Sequence, residues 1–182
     1  MTDHDLIARA RDGDNNAFAE LVKRYESQVA AVVIGMLGNS DATDDVGQEV
    51  FLRFYKALHG FRGDAALGTY LTRIAINLSL NELKRRKRRL SFFSKSENEM
   101  SILEIKSDEQ PDTFESQELV QRALQKLEPE FRAVVVLRLI EGYSTEETAQ
   151  TLKVPLGTVL SRLSRAQKKL KEYLRPFIQE AV

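Results

Sequence analysis

No stretch of this chain alternates apolar and polar residues for long enough to form a half-buried strand, whereas apolar residues recur at three- and four-residue steps through most of it. That property restricts the chain to an all-α fold. The clearest segment runs from about Asn15 to Leu37, where Phe18, Leu21, Val22, Tyr25, Val29, Val32, Val33 and Met36 repeat with helical spacing. Gly38-Asn39-Ser40-Asp41 supplies a stop and then a cap, and a second helix runs to about Leu58. The loop His59-Gly60-Phe61-Arg62-Gly63-Asp64 precedes a third long helix from about Leu67 to Arg89.

Between about Leu90 and Ser116 the periodicity fails. The stretch is rich in Ser, Glu and Asp, contains Pro111, and reads as a flexible acidic linker. Phe92, Phe93, Ile102, Leu103 and Ile105 are too apolar for a pure spacer and should lie against a partner or the chain's own domains. Helical spacing returns with Leu119, Ala123, Leu124 and Leu127, breaks at Glu128-Pro129-Glu130, and resumes from Phe131 to Ile140. Ser144 and Glu147 form a capping box that starts a short helix to about Leu152. Lys153-Val154-Pro155 makes a turn, and a last helix runs from Leu156 to about Leu174, beyond which no further domain is expected. A short capped helix, a tight turn and a longer helix constitute a helix-turn-helix. The expected organisation is two small helical domains, 1–93 and 117–182, joined by a linker over 94–116.

The formal charge is zero, but the charges are segregated: residues 1–83 carry a net −4, Lys84–Arg89 +6, residues 90–116 −5 and residues 117–182 +3. Such a chain can meet nucleic acid with some surfaces and protein with others. It has no cysteine, which removes thiolate nucleophiles, disulfides and sulfur-ligated zinc, and which fits a reducing cytosol. The N-terminus lacks the basic and apolar regions of a secretory signal, and no run approaches the ~20 apolar residues of a membrane span. A cytoplasmic protein is expected.

Three helix faces carry candidate chemistry. On the last helix, Val159, Leu163, Ala166 and Leu170 point towards a core, while Gly157, Ser161, Ser164, Arg165 and Lys168 point away with Thr158 beside them. Small residues let a helix seat deeply in a major groove, hydroxyls and Arg reach base edges, and Lys meets phosphate. On the third helix, Tyr70, Asn77, Asn81, Lys84 and Arg88 fall on one stripe with Arg73 at its border. A ring, two amides and then cations suit unstacked bases and their phosphates. On the second helix, Asp45, Gln48, Glu49 and Lys56 surround Leu52, opposite an apolar side of Val46, Val50, Phe51, Phe54 and Leu58. An exposed leucine ringed by polar groups can anchor a protein contact.

Catalysis finds little support. His4, in an expected tail, and His59, in a loop, lack partners at helical spacing, and Gly60-Phe61-Arg62-Gly63 is no phosphate-binding loop. Asp44, Asp45 and Glu49 read as a solvated acidic face rather than a metal site. Neither a catalytic residue, a metal nor a cofactor is expected.

The motifs Asp45-Val46-Gly47-Gln48-Glu49-Val50-Phe51, Phe61-Arg62-Gly63-Asp64 and Thr69-Tyr70-Leu71-Thr72-Arg73-Ile74-Ala75-Ile76-Asn77 resemble region two of the extracytoplasmic-function (ECF) sigma factors of bacterial RNA polymerase. Glu141-Gly142-Tyr143-Ser144 and Gly157-Thr158-Val159-Leu160-Ser161-Arg162-Leu163-Ser164-Arg165-Ala166 resemble their region four. The resemblance implies promoter-specific initiation, often under stress. Asp45, Gln48, Glu49 and Leu52 would dock on the clamp helices of the polymerase's largest subunit, and the C-terminal domain near the flap. Arg62, Tyr70, Arg73, Asn77, Asn81, Lys84 and Arg88 would hold the melted −10 strand with a base flipped out. Thr158, Ser161, Arg162, Ser164, Arg165 and Lys168 would meet the −35 duplex. A membrane-linked anti-sigma factor is an implied partner, without membrane insertion of this chain. The sequence departs from the family pattern at Tyr70, where Trp is usual, at Thr148, where an aliphatic residue is usual, and at Leu160, which replaces a frequent Lys or Arg. Two rivals are a stand-alone helix-turn-helix regulator, which needs neither the Tyr70–Arg88 stripe nor the 45–56 face, and a protein-sequestering sigma mimic, which needs no recognition helix.

Overall fold

Capping chemistry sets where the first helices begin. Thr2 accepts from the Asp5 backbone N–H while the Asp5 carboxylate accepts from that of Thr2, and Asp14 accepts from the N–H groups of Asn16 and Ala17. The computed structural model describes residues 1–96 and 116–179. Their helices are α1 Asp3–Arg11, α2 Asn15–Leu37, α3 Asp41–Ala57, α4 Leu67–Ser96, α5 Ser116–Gln125, α6 Pro129–Val135, α7 Thr145–Leu152 and α8 Leu156–Gln179. No strand occurs among the described residues, as the periodicity predicts.

α2 is the axis of the first domain: its Leu21, Val29, Val32, Val33 and Met36 are buried among side chains of α1, α3 and α4. The expected tail around His4 is instead α1, which buries Leu6, Ile7 and Ala10. Three core positions in nine residues are too few to register as a periodic pattern. α4 continues past Arg89 to Ser96, through the start of the expected linker. No glycine or proline stops it there, and Leu90 is 71% exposed. The readings of the Phe92 and Phe93 side chains and of Ile102, Leu103 and Ile105 fall outside the described residues.

The expected helix from Phe131 to Ile140 is α6 followed by a π-helical segment, Val136–Ile140, which ends with the Glu141 N–H bonded to the carbonyl of Val136 five residues back. α7 opens with the Ser144–Glu147 capping box and closes on Lys153 in the left-handed conformation, φ 54°. Thr148, one of the departures from the family pattern, is fully buried, and its hydroxyl donates to the Ser144 carbonyl at 2.8 Å. The polar atom is therefore satisfied inside its own helix. α8 runs to Gln179, beyond the expected end at Leu174, with Pro176 inside it.

The two domains are packed together. Ala133, Val136, Leu137 and Tyr143 of the second domain are buried in the same cluster as the core of the first. Two smaller clusters complete the second domain: Leu124, Leu127, Val135 and Ala166, then Val134, Ala149 and Val159.

Candidate nucleic-acid and protein interfaces

α3 buries Val50 and Phe54 and leaves Asp45, Gln48 and Lys56 exposed, with Glu49 half-buried. Leu52, at 52% exposure, is the apolar centre of the outward side. Arg53 donates to Glu49 at 2.9 Å, and this bond holds the Glu49 carboxyl below its usual range. Tyr55 widens the patch. It is 49% exposed and sits edge-on to Phe18 at 4.9 Å, and its place three residues after Leu52 was the overlooked signal.

The connection between α3 and α4 folds Phe61 back onto the start of α4. Phe61 lies 4.9 Å from Tyr70, and Phe54 lies 6.1 Å from it, both in edge arrangements. Tyr70 is therefore half-buried and is not as open as Asn77 and Asn81, with which the helical spacing aligns it. It forms a wall of a cleft of ≈ 590 Å³ lined also by Lys56, Arg62, Asp64 and Arg73. The Arg73 guanidinium stands 5.6 Å from the Tyr70 ring centre. Asn77, Asn81, Lys84 and Arg88 lead away from this cleft, all exposed.

The basic run is not one uniform patch. Arg85 and Arg86 both bond Glu82, at 2.8 and 3.1 Å, and Arg86 also reaches the Ser40 hydroxyl at 2.9 Å. Burial pushes the Glu82 carboxyl up, but the two guanidinium hydrogen bonds outweigh it and lower its pKa. Lys84, Lys87 and Arg88, with Ser91, line a separate hollow of ≈ 370 Å³. Lys87 thus joins the two cations that the stripe identified.

Arg11 escaped sequence reasoning. Its Nε donates to the Leu58 carbonyl at 3.0 Å and its Nη2 to that of Phe61, so α1 braces the loop where the cleft begins.

α8 buries Val159 and Ala166 and half-buries Leu163 and Leu170. Gly157, Ser161, Ser164, Arg165 and Lys168 are exposed, while Thr158 and Arg162 sit half-buried on one flank. On the other flank Leu156 and Leu160 are 46% and 56% exposed. Ser161 donates to the Thr158 carbonyl at 3.1 Å, which leaves its lone pairs facing outward.

The Sigma-70 region 2 family matches residues 21–89 and the Sigma-70 region 4 family residues 117–170. The chain is 34% identical to the RNA polymerase sigma-H factor of Pseudomonas aeruginosa, covering 98% of this chain and 97% of that one. It is 35% identical to the ECF RNA polymerase sigma-E factor of Escherichia coli K12, with the same coverage. This chain belongs to the ECF sigma factors. Its fold resembles CnrH, solved in complex with the cytosolic domain of CnrY, with a TM-score of 0.67 and 28% identity over 96% of this chain and 97% of that one. The sigma factor RpoE in complex with NepR from Bartonella quintana, at 22% identity and a TM-score of 0.68 over 87% of this chain and 96% of that one, shares the fold.

As a sigma factor the protein binds core RNA polymerase and promoter DNA and serves promoter-specific transcription initiation. Sigma factors are non-enzymatic regulators of transcription. Among the described residues no helix is long and apolar enough to cross a membrane.

Arg11 gives a first expectation for this sigma factor. Arg11→Ala removes two charge-assisted bonds from the loop, each worth about 1.5–3 kcal/mol. On the reading proposed below, that the cleft holds the −10 strand, the fold should persist with a lowered melting temperature while discrimination between bases at one −10 position flattens. Arg11→Lys should restore part of that discrimination. A base-preference profile identical to wild type would show that Arg11 serves stability alone.

Proposed function

We propose that the exposed α3 face, Asp45, Gln48, Glu49 and Leu52, docks on the clamp helices of the largest polymerase subunit, and that the second domain sits near the flap. The cleft residues Arg62, Tyr70 and Arg73, with Asn77, Asn81, Lys84 and Arg88 on α4, capture the −10 element as a single strand and so promote its melting. Thr158, Ser161, Arg162, Ser164, Arg165 and Lys168 on α8 contact the −35 duplex. Functional domains extend over 1–93 and 117–182, with 94–116 linking them, and the protein works in the cytoplasm. An anti-sigma factor is a further partner.

The observation that supports this reading above others is the cleft at Tyr70. Its ring and side-chain amides further along α4 stand on a different domain from the helix-turn-helix, and a duplex-only binder has no use for them. The direct test is initiation at a specific promoter by purified protein with core polymerase. Within that assay, Ser161→Ala and Arg165→Ala should each cost roughly 1–3 kcal/mol and alter preference at single −35 positions. Lys168→Ala should weaken binding evenly and flatten its salt dependence. If all three lower affinity uniformly, α8 positions the protein without reading sequence.

A further inference from the structure

Leu156 and Leu160 are 46% and 56% exposed on a helix whose core side is already held by the buried Val159 and Ala166. Four residues apart, the two leucines form one apolar row on the flank that borders Gly157 and Ser164. A Cβ on Gly157 would meet nothing within 4 Å, so no packing inside the molecule requires glycine there. Glycine weakens a helix relative to alanine, and its remaining use is to let something outside approach the backbone closely. The surroundings indicate what approaches. No acidic residue occurs from Thr148 to Lys171. Lys153 in the turn before α8, and Arg165, Lys168 and Lys171 along it, are exposed. The row is thus an apolar strip set in a cationic surface, which suits a polyanion that itself offers apolar groups. A protein partner ordinarily needs roughly 800 Å² on each side, and two leucines bounded by hydroxyls and cations are a small part of that.

We propose that Leu156 and Leu160 select thymine in the −35 element by packing against C5-methyl groups on the floor of the major groove. The inference rests on the assignment of α8 to the −35 duplex and deepens it. Of the base edges in that groove only thymine carries an apolar group, and cytosine has a hydrogen at the same carbon. Thymine O4 and guanine O6 are both acceptors, so the methyl is what marks thymine for an apolar side chain. The N-terminal residues of a recognition helix are those that meet base edges, and both leucines lie in the first two turns of α8. Packing there removes from water two side chains that the free protein leaves exposed, which favours the bound state. Gly157, between them in sequence, lets the helix seat deeply enough for both to reach the groove floor.

Deoxyuridine differs from thymidine only by the missing methyl, which isolates the contact. Full-length protein with core polymerase first selects its −35 element from a randomised library, and each thymine of either strand is then replaced by deoxyuridine. At the contacted positions the holoenzyme should bind about fourfold more weakly, the value of one buried methyl group. Leu156→Ala and Leu160→Ala should each weaken binding to the thymine-containing element and abolish the deoxyuridine effect at one of those positions. Both side chains are exposed, so the fold should hold, as circular dichroism would verify. Leu160→Lys should lose the same methyl dependence and steepen the salt dependence by about one phosphate contact. A selected element in which no methyl matters, or a methyl effect that survives both alanine variants, would overturn the proposal. So would loss of core-polymerase binding by Leu160→Ala in the absence of DNA, which would make the leucines a protein contact. If the library yields no −35 preference, and Ser161→Ala and Arg165→Ala are also silent, the assignment of α8 to the −35 duplex falls as well.

Discussion

Alanine at both Asn77 and Asn81 should leave closed-complex formation intact and stop strand opening. Duplex DNA hides the pairing edges of its bases, so side-chain amides gain their full value only when the strands part. Lys84 and Arg88 attract phosphates in either state. Two base contacts at roughly 1–3 kcal/mol each amount to about 2–6 kcal/mol, at least ~30-fold in the opening equilibrium. Both side chains are exposed on α4, so the fold should be unaffected. Tyr70 is deliberately spared: its contacts with Phe54 and Phe61 mean that truncation would loosen the cleft as well as remove a stacking surface. Permanganate reactivity of −10 thymines in the holoenzyme complex reads opening directly, and a premelted promoter should restore part of the activity. A double variant that opens duplex promoter as well as wild type would remove α4 from the −10 contact.

Leu52→Arg should abolish tight binding to core polymerase without unfolding the protein. Losing an interface anchor costs about 2 kcal/mol or more, about 30-fold in Kd. The substitution also places a cation where the partner expects an apolar side chain. At 52% exposure Leu52 has room for the longer residue, and Val50 and Phe54 hold α3 from the opposite side. Circular dichroism and thermal melting establish the fold, and a titration with labelled core polymerase gives the affinity. A folded variant with wild-type affinity would exclude this face from the interface.

The sequence made α2 legible because 23 residues give a period time to repeat, and α8 for the same reason. α1 offers nine residues and was invisible by that criterion. The outward face of α8 needed only helical geometry, and Gly157, Ser161, Ser164, Arg165 and Lys168 are exposed where the angles put them. Tyr70 needed more: its place on the stripe follows from spacing, but its burial depends on a loop that returns Phe61 to it. The six cations of Lys84–Arg89 looked equivalent until Glu82 claimed two of them, a pairing at three and four residues that sequence alone could have flagged. Arg132 could not have been found this way. Its bond to Met36 spans 96 positions, and a guanidinium without a carboxylate partner has no sequence signature.

Arg132 also decides how cleanly the domains can part. A buried guanidinium that lost its acceptors on separation would be left with unpaired donors, and that penalty would weld the domains together. Here the same Nη1 that reaches Met36 across the interface also donates to Gln125 Oε1 at 2.6 Å within its own domain, and Nη2 keeps the Gln125 and Leu127 carbonyls. The second domain keeps partners for both terminal nitrogens, so separation would exchange one acceptor for water, while Nε is buried without a partner in either case. In its polar bonds the joint is a latch rather than a weld.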